Sequence, residues 1–138
     1  MLSGGGDSVA LLDVAVRAKG PQDVEAVHVN YGLRSDAALD QRHCEQLCDR
    51  FGVSLHVHAA TLPERGNLHA NARKERYRVA RQISRDRGIE WIATAHTADD
   101  QAETVLYRLA SSPGRRALRG IAAREGNLIR PLLGVRRS

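Results

Sequence analysis

The chain has 138 residues, 42% hydrophobic and 27% charged, which is enough for one domain with a real core, too little for two of ordinary size, and far from the pattern of a disordered chain. No apolar run approaches the ~20 residues of a bilayer span, and the glycine-rich start lacks the basic-then-apolar order of a signal peptide, so a cytoplasmic protein with no membrane partner is expected. The net charge of +5 is uneven: residues 110–138 hold seven arginines (115, 116, 119, 124, 130, 136 and 137) against Glu125, whereas residues 1–109 hold 14 bases and 15 acids.

Strand-like and helix-like segments alternate along the chain, which argues for an α/β domain over 1–138 with a parallel sheet. A glycine loop, Ser3 to Gly6, leads into a helix from Asp7 to Ala18 that Gly20 and Pro21 end. Val24 to Val29 reads as a strand closed by Asn30, Tyr31 and Gly32, and a helix from Ser35 to Phe51 follows. Within that helix Cys44, Leu47, Cys48 and Phe51 form an apolar stripe, so the two cysteines are read as reduced, packed thiols. Val53 to Ala59 alternates Val53, Leu55 and Val57 inward with His56 and His58 outward; those histidines are read as exposed strand residues, no third metal ligand being evident near them.

A long helix from Leu68 to Arg87, stopped by Gly88, carries Arg73, Lys74, Arg76, Arg78, Arg81, Arg85 and Arg87 against Glu75 and Asp86. This cluster and the arginine-rich end fit either a polyanionic partner or a solvated arginine-rich surface. Ile89 to Ala95 is an apolar strand, and Ala98 to Ala110 a helix with Ala98, Ala102, Val105, Leu106 and Leu109 on one face. The remainder is loop-rich, with Leu128 to Leu133, interrupted by Pro131, at most a short edge strand.

The chemistry concentrates in Ser3-Gly4-Gly5-Gly6-Asp7-Ser8. Consecutive glycines let backbone N–H groups converge, and the following helix adds the positive end of its dipole, so the direct inference is an anion site. The loop lacks the Lys-Ser/Thr of a Walker A loop and does not match GxGxxG, which argues against γ-phosphoryl transfer and against a dinucleotide. Asp7 would repel a phosphate unless a divalent cation stood between them, which implies magnesium held by Asp7. The plainer reading is a glycine turn with Asp7 or Ser8 as a helix cap. Further on, Asp100 and Glu103 lie three apart on one helical face, so both carboxylates can reach one cation; Thr97-x-x-Asp100 is equally a capping box. His96 stands at the carboxyl end of an expected strand, where ligands bind in open α/β sheets, or simply caps that strand.

The full SGGxDS, followed by an apolar helix, resembles the PP-loop of the ATP pyrophosphatase superfamily. Within it, Val27-His28-Val29-Asn30-Tyr31-Gly32-Leu33-Arg34, Ala72-Arg73-Lys74-Glu75-Arg76-Tyr77, Thr94 to Thr104 (TAHTADDQAET) and Arg130-Pro131-Leu132-Leu133 are similar to the tRNA(Ile)-lysidine synthase family, with Tyr31 and Thr97 where that family usually has histidine. The resemblance covers essentially the whole chain and implies a doubly wound, mostly parallel sheet with helices on both faces, the adenine nucleotide alpha hydrolase-like fold. Only Met1 and Leu2 stand where the family's first strand is expected, so that strand is expected to be truncated, and the family's C-terminal tRNA-binding domains to be absent.

The resemblance further implies that ATP adenylates the wobble cytidine of an isoleucine tRNA with a CAU anticodon, releasing pyrophosphate, and that free L-lysine then displaces AMP. In that reading Ser3, Gly4, Gly5, Gly6, Asp7 and Ser8 bind ATP, Asp7 with magnesium, Arg73 and His96 are catalytic, and Asp100 and Glu103 take lysine. Arg76, Arg115 and Arg116 contact RNA or phosphate, and a homodimer remains an open expectation. The rival readings are a thiolating PP-loop enzyme, against which the helical CxxxC of Cys44 and Cys48 weighs, and a truncated, non-catalytic ATP- or RNA-binding remnant.

Overall fold

The computed structural model describes residues 1–32, 37–61, 63, 67–111 and 117–137. Two units divide the chain, Met1–Ile92 and Ala93–Ser138. The first contains α1 (Gly6–Lys19), β1 (Glu25–Asn30), α2 (Ala37–Phe51), β2 (Ser54–Ala59) and α3 (Leu68–Asp86). Strands β1 and β2 pair in parallel from Glu25↔Ser54 to Asn30↔Ala59, and a parallel pair requires a crossover such as α2. The Leu2 N–H donates to Val27 O at 2.8 Å, which ties the start of the chain to β1.

Successive side chains on a strand face opposite ways, and β1 uses both sides. On one side Ala26 joins Leu2, Leu12 of α1, and Cys44 and Cys48 of α2 in a buried cluster that also includes Val53. On the other, Val29 packs with Ala60 and Val79 of α3, with Val27, Tyr31 and Ile83 around them. Helices therefore cover both faces of this parallel pair, as the α/β reading requires. Both cysteines are free and buried, consistent with the packing stripe.

The two-sided cover corrects the reading of β2. His56 and His58 lie on the side that α3 covers and are half-buried, not exposed. His56 Nε2 is 2.5 Å from Glu25 Oε2, and His58 Nε2 is 3.3 Å from Glu75 Oε1. Glu25 also binds Arg87 (3.1 Å), and that guanidinium, with His56, holds its carboxyl below the usual carboxylate range despite partial desolvation. Val57, expected inward, is 41% exposed.

The second unit opens within β3 (Ile92–Ala93) and contains α4 (Ala98–Ser111), β4 (Arg124–Glu125) and β5 (Leu128–Ile129), with sheet order β3-β5-β4. Strands β4 and β5 form an antiparallel hairpin, Arg124↔Ile129 and Glu125↔Leu128, around Gly126-Asn127. Leu128–Ile129 is thus the middle strand and not an edge; Pro131, which cannot donate to a ladder, falls beyond its end.

The strand expected from Ile89 to Ala95 is confined to Ile92–Ala93, and its expected first residue instead completes the end of α3. Ile89 N–H donates to Ser84 O (2.8 Å) and Gly88 N–H to Arg85 O (3.2 Å), with Gly88 at φ +66. That is a Schellman closure, and it removes Ile89 from any ladder. No residue of α4 is buried, and Leu106 on its expected apolar face is 66% exposed. Among the described residues no helix is long and apolar enough to cross a membrane.

Candidate functional site

The glycine loop enters α1 through residues with almost no side chain. Gly4 adopts φ +83, and a Cβ there would stand 3.3 Å from His43 Cδ2 and 3.6 Å from Cys44 Sγ, so the loop lies directly on α2. Gly5 is the extended residue before the helix, and its carbonyl accepts from Ser8 N (3.0 Å) and Val9 N (3.1 Å) with no side-chain cap over the helix start. Ser8 Oγ donates to Gly5 O (2.8 Å) and accepts from Ser3 N (3.2 Å), while the Ser3 and Ser8 hydroxyls are 3.1 Å apart. The two serines therefore close the loop on itself. At Gly6 an added Cβ would meet nothing within 4 Å.

A helix start leaves its first N–H groups without intrahelical acceptors, and here the residue in the capping position is Gly5, which has no side chain to meet them. Phosphate oxygens fit that arrangement. Asp7 lies in the first turn and is half-buried; one carboxylate beside phosphates is a donor set that could hold magnesium.

Two residues, His28 of β1 and Cys44 of α2, support the loop from beneath. His28, on the α2 side of β1, is buried, with Nδ1 3.1 Å from Leu2 O and 3.3 Å from Cys44 Sγ. Donation to Leu2 O requires the tautomer protonated at Nδ1 and fixes the residue that leads into the loop. Burial pushes the Cys44 thiol up to about 11, so it supports Gly4 as a neutral group. The alternation of Ala26 and His28 on one strand face is the only sequence cue to this role.

At the carboxyl end of β1, Asn30 Nδ2 donates to Gln41 Oε1 (3.0 Å) and Tyr31 OH donates to Ala72 O (2.8 Å). Arg76 Nε in turn donates to Tyr31 OH (3.2 Å), with its guanidinium 5.9 Å from the Tyr31 ring. The tyrosine that stands where histidine is usual thus anchors Arg76. Arg73 rests 5.2 Å from the centroid of the Tyr77 ring and is exposed.

In the second unit the capping box forms. Asp100 Oδ2 accepts from Thr97 N (2.7 Å) and Thr97 Oγ1 (2.8 Å), while Asp100 N lies 3.5 Å from Thr97 Oγ1. Asp100 Oδ1 pairs with Arg137 Nη2 at 3.4 Å, and Asp99 accepts from Arg137 N at 2.8 Å. Burial is the largest single influence on Asp100 and raises its pKa. The Thr97 bonds, with Arg137 and His96, outweigh it, and the carboxyl sits below its ordinary value.

His96 Nδ1 lies 2.9 Å from Thr94 Oγ1. Glu103 is exposed one turn further along α4. Gln101, between the two acids in sequence, bonds the backbone of Ile121 through both ends of its amide and so fixes the segment after Ala117–Arg119. Arg115 and Arg116 lie outside the described residues, as do Leu33 and Arg34.

A family model described as the PP-loop domain matches residues 1–138. The tRNA(Ile)-lysidine synthase of Thermus thermophilus is 44% identical over 137 residues, covering 96% of this chain and 26% of that protein. Those of Bacteroides thetaiotaomicron and Novosphingobium aromaticivorans are 39% and 36% identical, each covering 99% of this chain and 33% and 44% of the relative. The chain therefore spans less than half the length of these relatives. Among solved structures, the U34-tRNA thiolase NcsA from Methanococcus maripaludis, with its 4Fe-4S cluster, matches at a TM-score of 0.80 and 18% identity over 98% of this chain and 50% of that one, a likeness of fold.

Proposed function

We propose, from the premise that this chain belongs to the PP-loop domain family, that it is the ATP-handling part of an enzyme that joins L-lysine to the wobble cytidine of an isoleucine tRNA with a CAU anticodon. The observation that carries this reading is the glycine loop: a helix start with open space over Gly6 and no side-chain cap, in a chain 36–44% identical to proteins named tRNA(Ile)-lysidine synthase. The N–H groups of the loop receive the polyphosphate of ATP, and Asp7 would hold magnesium against it. Magnesium there supplies charge neutralisation for the departing pyrophosphate.

Arg73 and Arg76 donate to phosphate oxygens, where the planar fork of a guanidinium suits the geometry. The cytidine C2 oxygen attacks the α-phosphorus and pyrophosphate leaves; the lysine ε-ammonium gives up a proton to solvent, and the neutral amine then attacks C2 and AMP leaves. Asp100 and Glu103 bind the ammonium groups of lysine, with His96 beside Asp100.

Thiolation is the second reading, favoured by the fold likeness to the U34-tRNA thiolase. Against it, Cys44 and Cys48 are buried, and burial raises both thiols above their usual range, so neither is a ready sulfur nucleophile. Incubating the full protein with ATP, magnesium, labelled lysine and the tRNA transcript tests the proposal. Lysine-labelled RNA that requires the CAU anticodon is expected. Unlabelled RNA with bound ATP would leave a binding remnant.

A further inference from the structure

Helix α3 carries a charged stripe that begins at Arg73, already proposed for phosphate, and continues through residues that neither the phosphate loop nor the packing of the fold uses. Arg73, Tyr77 and Arg81 stand four residues apart and so line one face. The Arg73 guanidinium lies 5.2 Å, and that of Arg81 6.0 Å, from the centroid of the Tyr77 ring. Arg73, Lys74 and Arg81 are exposed, and among the described residues none of the three is paired with a carboxylate. The acids of the helix are engaged elsewhere: Glu75 binds Arg78 (2.7 Å) and His58, and Asp86 accepts from Gln82 (2.7 Å).

Three exposed cations without a carboxylate partner concentrate positive charge on this stretch of the helix. The tyrosine ring attracts both guanidiniums and limits their rotamers. A guanidinium stacked on a ring still presents its N–H groups outward in its own plane, where they can meet phosphate oxygens in pairs, and less side-chain freedom is lost when they do. From Arg73 to Arg81 the helix rises about 12 Å, far enough apart for the two guanidiniums to meet different phosphates of one strand.

We infer that the Arg73–Tyr77–Arg81 face of α3, with Lys74, is a contact surface for the sugar–phosphate backbone of RNA. This rests on the proposed function insofar as that names a tRNA as substrate. The face binds by charge and spacing and reads no base, so it positions the RNA and does not select it.

The test measures binding of the tRNA transcript to the full protein across a series of salt concentrations, beside a separate titration with ATP. In Arg81→Gln the slope of log K against log salt should shrink by about 1, with RNA affinity down roughly threefold to tenfold and ATP affinity unchanged. Tyr77→Leu should weaken RNA binding about twofold to fivefold while keeping the wild-type slope, since both cations remain. Arg78→Gln, whose guanidinium is held by Glu75, should keep the wild-type slope. A wild-type slope and affinity in Arg81→Gln, an equal loss in Arg78→Gln, or a fall in ATP affinity as large as that for RNA would overturn the inference. Lysine transfer measured on the same preparations separates the two claims. A reduced slope without any lysine transfer sinks the ligase reading and leaves this surface standing, whereas transfer with an unchanged slope sinks the surface alone.

Discussion

The glycine loop of the first unit and the first turn of α4 in the second are both helix starts carrying acids, yet they are built in opposite ways. At α1 no side chain caps the helix, and a methyl group at Gly6 would stand in open space. At α4 the cap is complete, with Thr97 and Asp100 bonded to each other and Asp100 also to Arg137. A helix start left open is poised for an anion, whereas one already closed contributes stability first and ligand contacts second. If the proposed roles hold, mutations in the loop separate function from folding, those at Asp100 join them, and those at Glu103 separate them again.

The largest expected effect falls on the loop. Asp7→Ala should lower lysine transfer by roughly a hundredfold or more, the scale of losing a preorganised electrostatic partner, with the thermal midpoint little changed. Transfer at the wild-type rate would remove Asp7 from the chemistry.

A glycine pair sharpens the same point. Gly6→Ala should leave stability equal or slightly raised while weakening ATP binding about tenfold, because its methyl group occupies the space over the helix start. Gly4→Ala should instead destabilise the domain by about 1–2 kcal/mol, since φ +83 and the contact with His43 both resist a Cβ. If the two variants lost stability alike, the space above Gly6 would not be a ligand site.

In the second unit, Glu103→Gln should raise the KM for lysine about tenfold without changing the melting temperature, while Asp100→Asn should raise it and destabilise the protein as well. Thr97→Ala, which removes the cap and no lysine contact, should cost about 1 kcal/mol of stability with lysine KM unchanged. Thermal melts beside steady-state kinetics separate these outcomes. A stability loss with no change in KM in both acid variants would reduce the pair to capping.

The smallest effect is in acid titration. The Asp100 pKa is lowered in the folded state, so its contribution is fully present above the ordinary carboxylate value of 3.8 and is lost as pH falls through the lower folded value. Asp100→Asn should flatten that part of the acid side of the stability curve, and an unchanged profile would show the cap to be unimportant.

What was legible in the sequence was local. Ser3 to Ser8 announces itself through consecutive glycines, and Thr97 and Asp100 through the spacing of a capping box, because both depend on residues within one turn. The support of the loop by His28 and Cys44 was not legible, since it joins β1 to α2 across 16 residues. The histidines of β2 were misplaced because an alternating strand implies one wet face, and only the packing of α3 shows that both are covered. The hairpin of β4 and β5 was missed although Gly126-Asn127 is a known turn signal; two-residue strands leave no periodicity to detect.

The most direct test of the account is the fate of ATP. With the tRNA, lysine and magnesium present, the full protein is predicted to form AMP and pyrophosphate in equal amounts, matched one for one by lysine joined to RNA. Formation of ADP and phosphate, or of AMP with no lysine in the RNA, would contradict the claim that the open helix start at Gly6 serves an adenylating ligase.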